Sequence, residues 1–269
     1  MYLKHFGFKR KPFDPTPDPR ELFQTEGHQE VRARLQIALA ERVPTLLVGE
    51  SGVGKTTSLR SALAEINRRS HRLIEIPEPR LKLRGFYRTL ATGLGLQPRF
   101  FFGDLSDQVR ESLAKTAEKN GRHPILVVDE AQMLDTQTLE TLRLLTNPLL
   151  GQTKPGLTLL LVGDMTLSRR LARPAHESFL QRLRRTYRMP PVSDEEGRRY
   201  VAHRLRTAGG SPDVFHPDAV EEVLADAGGR LRKIDELAVH ALYAAFSAKA
   251  EVVTKAHVEA ARSERAFAN

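Results

Sequence analysis

The residues whose types and spacing could do chemistry begin at Gly49-Glu50-Ser51-Gly52-Val53-Gly54-Lys55-Thr56, which fits G-x-x-x-x-G-K-[ST]. Glycines at these positions let backbone amides converge on phosphate oxygens at a helix start, where the dipole already favours an anion. In such a loop Lys55 is expected on the β- and γ-phosphates and Thr56 on Mg²⁺, with Thr57 completing the set against the nucleotide. Further on, the apolar run Ile125-Leu126-Val127-Val128 delivers Asp129 and Glu130 at its C-terminal end. An acidic pair after a strand is by itself an ordinary solvated strand end. Behind a phosphate loop it reads as hydrolytic, Asp129 supporting the Mg²⁺ shell and Glu130 polarising an attacking water. No guanine-reading N-K-x-D stretch occurs, so ATP is the expected nucleotide.

These groups need elements that hold them in register. Four apolar runs, Thr45 to Gly49, Arg72 to Ile76, Pro124 to Asp129 and Leu157 to Gly163, alternate with longer amphipathic stretches, and a weaker fifth spans Thr186 to Val192. Runs so short and apolar on both faces suit a parallel sheet covered by helices. A helix over Gly27 to Arg42 precedes the first run, and helices over Lys55 to Arg69, Gly85 to Leu94, Leu105 to Lys119 and Thr136 to Leu145 supply the crossovers. After Ser193 the pattern is helical only, three or four segments, the first capped by Ser193 with Asp194, Glu195 and Glu196 in its opening turn. Pro12, Pro15, Pro17 and Pro19 remove backbone donors too often for helix or central strand. The expected organisation is an extended arm over 1–25, an α/β nucleotide-binding domain over 26–192 and a helical domain over 193–269.

Composition narrows the classes. In 269 residues, 42 Lys and Arg against 33 Asp and Glu leave a formal charge of +9, which favours a polyanionic partner such as nucleic acid or, less often, an acidic membrane surface. The absence of cysteine removes disulfides, thiolate metal sites and a cysteine nucleophile together, and suits a reducing cytoplasm. The longest apolar stretches fall short of the ~20 residues that cross a bilayer. The start, MYLKHFGFKRKPFDP, has no apolar core of a secretory signal, so a soluble, cytoplasmic chain without a membrane partner is expected. The nine histidines show no metal-ligand spacing.

The phosphate loop, the sequence DEAQ at Asp129 to Gln132, the run LLLVGD, the segment SFLQRLRRTYRM and the helical tail together resemble an AAA+ ATPase. The opening YLKHFGFKRKPFDPTPDPRELFQTEGHQEVRARLQIAL is similar, nearly end to end, to the N-terminal signature of the ExeA/GspA-like branch. That branch also contains the transposon ATPases TniB and TnsC, with the phage Mu B protein more distant. The resemblance implies a P-loop domain with a five-stranded parallel sheet, helices on both faces and a small helical lid. It also implies a polar residue near the γ-phosphate, for which Asp164 and Asn147 are both candidates. Arg182, followed by Arg184 and Arg185, lies where the family carries an arginine that reaches the neighbouring subunit's nucleotide. Gly228-Gly229-Arg230-Leu231-Arg232 resembles the segment whose arginine, here Arg232, contacts ATP from the lid, with Leu231 where the family has Pro.

Between Arg80 and Arg88 lie four cations with Phe86 and Tyr87 among them. In the transposition members the corresponding region follows a duplex backbone, which makes Lys82, Arg84 and Arg88, with Lys119 further on, the expected contacts to double-stranded DNA. The plainer reading takes the two aromatics as core and the cations as a solvated helix start. By resemblance, the leading expectation is an oligomer, as ring, spiral or filament, that marks target DNA for a transposase and target-selection proteins and disassembles on ATP hydrolysis. The alternatives are the cytoplasmic ATPase of a type II secretion assembly complex and a nucleotide-gated adaptor with little turnover. Secretion members extend through a membrane span into a wall-binding part, neither of which precedes Asn269, and this favours the transposition reading.

Overall fold

The computed structural model describes every residue except 17, 77–79, 119–121, 148–155, 184 and 267–269. The apolar runs become strands β1 (Thr45–Gly49), β2 (His71–Ile76), β3 (His123–Val128), β4 (Thr158–Gly163) and β5 (Arg185–Met189), all parallel in the order β2-β3-β4-β1-β5. In chain order the α-helices are α1 (Tyr2–His5), α2 (Glu26–Glu41), α3 (Lys55–Ala64), α4 (Leu83–Gly93), α5 (Phe102–Glu118), α6 (Thr136–Leu145), α7 (Met165–Leu171) and α8 (Glu177–Arg182). They continue with α9 (Asp194–Thr207), α10 (Pro217–Ala227), α11 (Leu231–Ser247) and α12 (Lys255–Ala266). None among the described residues is long and apolar enough to cross a membrane.

Contacts divide the chain into two units, one of Glu30–Gly49 with Lys55–Met189 and one of Met1–Gln29, Glu50–Gly54 and Pro190–Asn269. The first unit holds the sheet. Strands β1, β3 and β4 are buried along their whole length, which is why they read as unbroken apolar runs, whereas the edge strands β2 and β5 alternate with polar residues. β5 therefore ends at Met189, short of the expected Val192. Leu126, Val128, Leu159 and Leu161 pack with Phe86, Tyr87, Leu90 and Leu105, so the two aromatics of the basic segment are core. A methyl on Gly93 would meet Ile74 at 2.5 Å, and this near contact seats α4 on β2.

In the second unit Ser193 accepts from the Glu196 amide at 3.2 Å and caps α9 as expected. The segment expected as an extended arm instead carries α1 and buries Phe6, Phe8 and Phe13 among Val201, Leu205, Phe215 and Leu242. Its proline-rich backbone finds a donor from outside: buried Arg204 donates from Nε to the Pro12 carbonyl (2.9 Å) and from Nη2 to the Asp14 carbonyl (2.6 Å). Arg204 also faces Asp235 at 3.7 Å, and Tyr200 donates to the same carboxylate at 2.7 Å. Burial pushes the Asp235 carboxyl up to about 6, opposed by the Arg204 charge and the Tyr200 hydroxyl.

In the sheet, His123 is buried with Nε2 2.9 Å from the Thr158 hydroxyl, and burial, with the charges of Arg42 and His71, lowers its pKa to about 4. The neutral ring is thus the folded form. Its contribution is complete above the unfolded value near 6.5 and is lost as pH falls towards 4, by up to about 3 kcal/mol. His123→Gln should flatten this limb, so that the unfolding free-energy difference between wild type and variant shrinks by that order from pH 7 to pH 4 in urea titrations. A pH-independent difference would contradict the assignment.

Candidate functional site

Within the sheet unit, the site is built at the C-terminal edge of β1, β3 and β4. The short link from β1 to α3 returns buried Lys55 so that Nζ donates to the Gly49 carbonyl at 3.0 Å. Thr56, in the first turn of α3, donates its hydroxyl to Asp129 Oδ2 at 2.7 Å, joining the ends of β1 and β3. The other oxygen, Oδ1, accepts from the Glu130 amide at 2.9 Å. Glu130 adopts the left-handed conformation (φ 52°, ψ 36°), and its carboxylate is exposed. Gln132 donates to Glu130 Oε2 at 2.6 Å and accepts from the Asp164 amide at 3.2 Å, linking β3 to β4. In the sequence Gln132 stands only as the last residue of DEAQ; the one signal of its bridging role there is an amide that carries donor and acceptor at once.

Residues 50–54 have their own neighbours in the second unit. Gly52 and Gly54 adopt φ +85° and +103°, values that side-chain-bearing residues rarely adopt. The Arg232 amide donates to the Gly52 carbonyl at 3.1 Å, so the expected lid arginine meets the loop through its main chain, with its side chain exposed. The Gly228-Gly229 pair before it takes φ +56° and +70°, and a methyl on Gly229 would lie 2.4 Å from the Val192 carbonyl. His28 is buried against the loop: its Nε2 lies 2.6 Å from where a Gly54 methyl would be. Burial lowers the His28 pKa, so the neutral imidazole packs there. Val53 is fully buried, Glu50 and Ser51 are exposed and Thr57 is half-buried.

Other expected residues have structural occupations. Asp164 caps α7, accepting from the amides of Thr166 (2.7 Å) and Leu167 (3.3 Å). Asn147 accepts a hydrogen bond from Arg182, so these two residues are held to each other. Arg185 pairs with Glu41 at 2.7 Å on the surface, while Arg184 and Lys119 lie outside the described residues. Lys82 is the exposed N-cap residue of α4, and Arg88 is exposed on the same helix. Arg84 donates to the Phe100 carbonyl at 2.8 Å and stacks over that ring.

Chemically, the Thr56 hydroxyl and Asp129 carboxylate are adjacent hard oxygen donors that suit Mg²⁺. The left-handed glycines leading into α3 suit a polyphosphate on backbone amides.

A family profile described as an AAA domain matches residues 40–171. General secretion pathway protein A of Aeromonas hydrophila is 32% identical over 254 residues, which cover 92% of this chain and 45% of that protein, so the chain spans less than half of that relative's length. ORC1 of Aeropyrum pernix, solved in complex with DNA, superposes with a TM-score of 0.65 at 20% identity over 96% of this chain and 69% of that one. Cdc6p of Pyrobaculum aerophilum gives 0.64 at 19% identity, covering 90% and 67%. The RuvB branch migration motor of Thermotoga maritima gives 0.53 at 17%, covering 93% and 72%. At such identities the structures speak to the fold, and that fold, a five-stranded parallel sheet with helices on both faces and a helical C-terminal region, is AAA+.

Gly54→Ala should weaken binding of a fluorescent ATP analogue by about 10-fold or more, because the left-handed backbone resists a Cβ and that Cβ would strike His28. Adding His28→Ala removes the clash and leaves the backbone strain, so recovery should be incomplete. Undiminished affinity in the single variant would refute the loop geometry.

Proposed function

From the premise that this chain carries an AAA+ ATPase module similar to that of General secretion pathway protein A, we propose that it binds Mg²⁺-ATP, hydrolyses it, and uses the cycle in assembling a secretion apparatus. The observation that carries this reading is the 2.7 Å hydrogen bond from Thr56 to Asp129 with Glu130 next in the chain, which gathers cation ligands and a base at one strand edge. Lys55 releases the Gly49 carbonyl to hold the β- and γ-phosphates, and the amides of residues 50–54 cradle them. Thr56 and Asp129 would hold Mg²⁺, which when bound would supply charge neutralisation at the phosphoryl oxygens. Glu130 takes the proton of the attacking water, and Gln132 fixes the direction of its carboxylate. Arg182, freed from Asn147, acts on the nucleotide of an adjacent copy in an oligomer, and Arg232, whose amide donates to the Gly52 carbonyl, senses the nucleotide through residues 50–54.

A second reading, an oligomer that coats DNA and presents it to a transposase, is favoured by the cations Lys82, Arg84 and Arg88 on one exposed stretch. Similarity over 92% of the chain makes secretion the better supported of the two. Because the chain spans 45% of that relative, its end at Asn269 carries no weight between them.

Lys55→Ala should lower ATP affinity by about 10-fold or more in equilibrium titrations, an ammonium–phosphate contact being lost. Glu130→Gln should keep ATP affinity and reduce phosphate release about 100-fold or more at saturating ATP, the contribution of a general base. Normal turnover in that variant would remove Glu130 from the reaction. Duplex DNA added to the wild type separates the readings: stimulated turnover and ordered assembly favour the second, indifference the first.

A further inference from the structure

Between α4 and α5, Phe100 and Phe101 are 75% and 70% exposed, whereas most phenylalanines of the described chain are buried. They are held in place. Arg84 Nη2 donates to the Phe100 carbonyl at 2.8 Å while its guanidinium lies 5.1 Å from the ring centroid. Gln108 ties down the preceding turn from both ends of its amide, accepting from Arg99 N (3.2 Å) and donating to the Gln97 carbonyl (2.9 Å). The two rings meet edge to face at 5.3 Å, and Phe102 leans on the buried Tyr87 ring at 5.4 Å. Two neighbouring phenyl rings kept in water on a fastened loop mark a surface made for a ligand.

The ligand's chemistry follows from the surroundings. Residues 80–103 contain Arg80, Lys82, Arg84, Arg88 and Arg99 and no acid; Asp104 and Asp107 come only on the opening turns of α5. A polyanion that also carries flat apolar groups answers both features. An anionic bilayer answers the charge, but Arg84 is bonded to Phe100 and would have to enter the hydrocarbon with it, which is costly. An arginine stacked on an aromatic ring is instead a platform for a nucleobase. In a paired duplex both faces of each base are covered by neighbours, so an exposed ring meets a base face only where the strand is unpaired.

We propose that Phe100 and Phe101 form a base-stacking platform for single-stranded nucleic acid, with Lys82, Arg88 and Arg99 on its phosphates. The proposal rests on the nucleic-acid reading of the 80–88 cations, and the two are separable.

The test is fluorescence anisotropy of the full chain, with a non-hydrolysable ATP analogue, on four probes. These are single-stranded oligothymidylate, a strand of the same length made of abasic sites, a paired duplex, and vesicles of anionic phospholipid as competitor. Phe100→Ala with Phe101→Ala should weaken oligothymidylate binding by about 10-fold or more and leave the abasic strand, the duplex and ATP affinity within about two-fold. Trp at both positions should restore binding, and Leu, apolar without a π-face, should not. Lys82→Ala with Arg88→Ala should weaken the three nucleic acids alike. Wild-type affinity for oligothymidylate in the Ala or Leu variant would overturn the stacking role and leave the phosphate contacts standing. An equal loss on duplex would overturn the restriction to unpaired bases. A wild type that binds no nucleic acid, or that vesicles strip from it through the two rings, would overturn both.

Discussion

The parallel pairing of β1 with β4 and of β4 with β3, which sets Val48 opposite Gly163 and Val128 opposite Leu161, is the constraint on which the site depends. Parallel strands end on the same edge of a sheet, so the residues following β1, β3 and β4 emerge together although they are far apart in sequence. A one-residue slip would turn every side chain of a strand to the opposite face. It would also part the Thr56 hydroxyl from Asp129, a contact that needs the start of α3 and the end of β3 at a fixed spacing. Complete burial of the three strands enforces that register, because a slip would leave cavities in a close-packed core.

Around this edge, polar groups satisfy one another in a chain: Thr56 to Asp129, Asp129 to the Glu130 amide, Glu130 to Gln132, and Gln132 to the Asp164 amide. Each link fixes the next in direction. The Glu130 carboxylate is exposed while its orientation is set through Gln132, an arrangement that keeps a carboxylate accessible to water without leaving it adrift. Gly52 and Gly54, in their own unit, take positive φ values that few side-chain-bearing residues adopt, a backbone of the kind that suits an anion-binding loop.

In several places one residue type does two different jobs, and neighbours decide which. Arg204 is buried and supplies donors to the proline-rich start of the chain, so a cation there is a structural tie. Arg84 fastens an aromatic pair, and Arg182 is held by Asn147. Asp164 caps a helix whose free amides need an acceptor. A charge near a motif acquires its role from the partner it finds.

The sequence alone determined the glycine spacing before α3, the acidic pair after β3, the existence of all five strands, and the limits of β1 and α6, because these rest on local signals: glycine spacing, apolar runs and the amphipathic stretches between them. The helices α7 and α8 escaped it, being too short to establish a period. So did the packing of the first residues, since prolines report on local backbone geometry and are silent about an arginine almost 200 positions away. Only the tertiary structure decided that Gln132 bridges two strands, that His28 lies against Gly54, that Arg84 is engaged while Phe86 and Tyr87 are core, and that Phe100 and Phe101 stand in solvent. Partnership and exposure are properties of distant segments brought together, and no local pattern of residues encodes them.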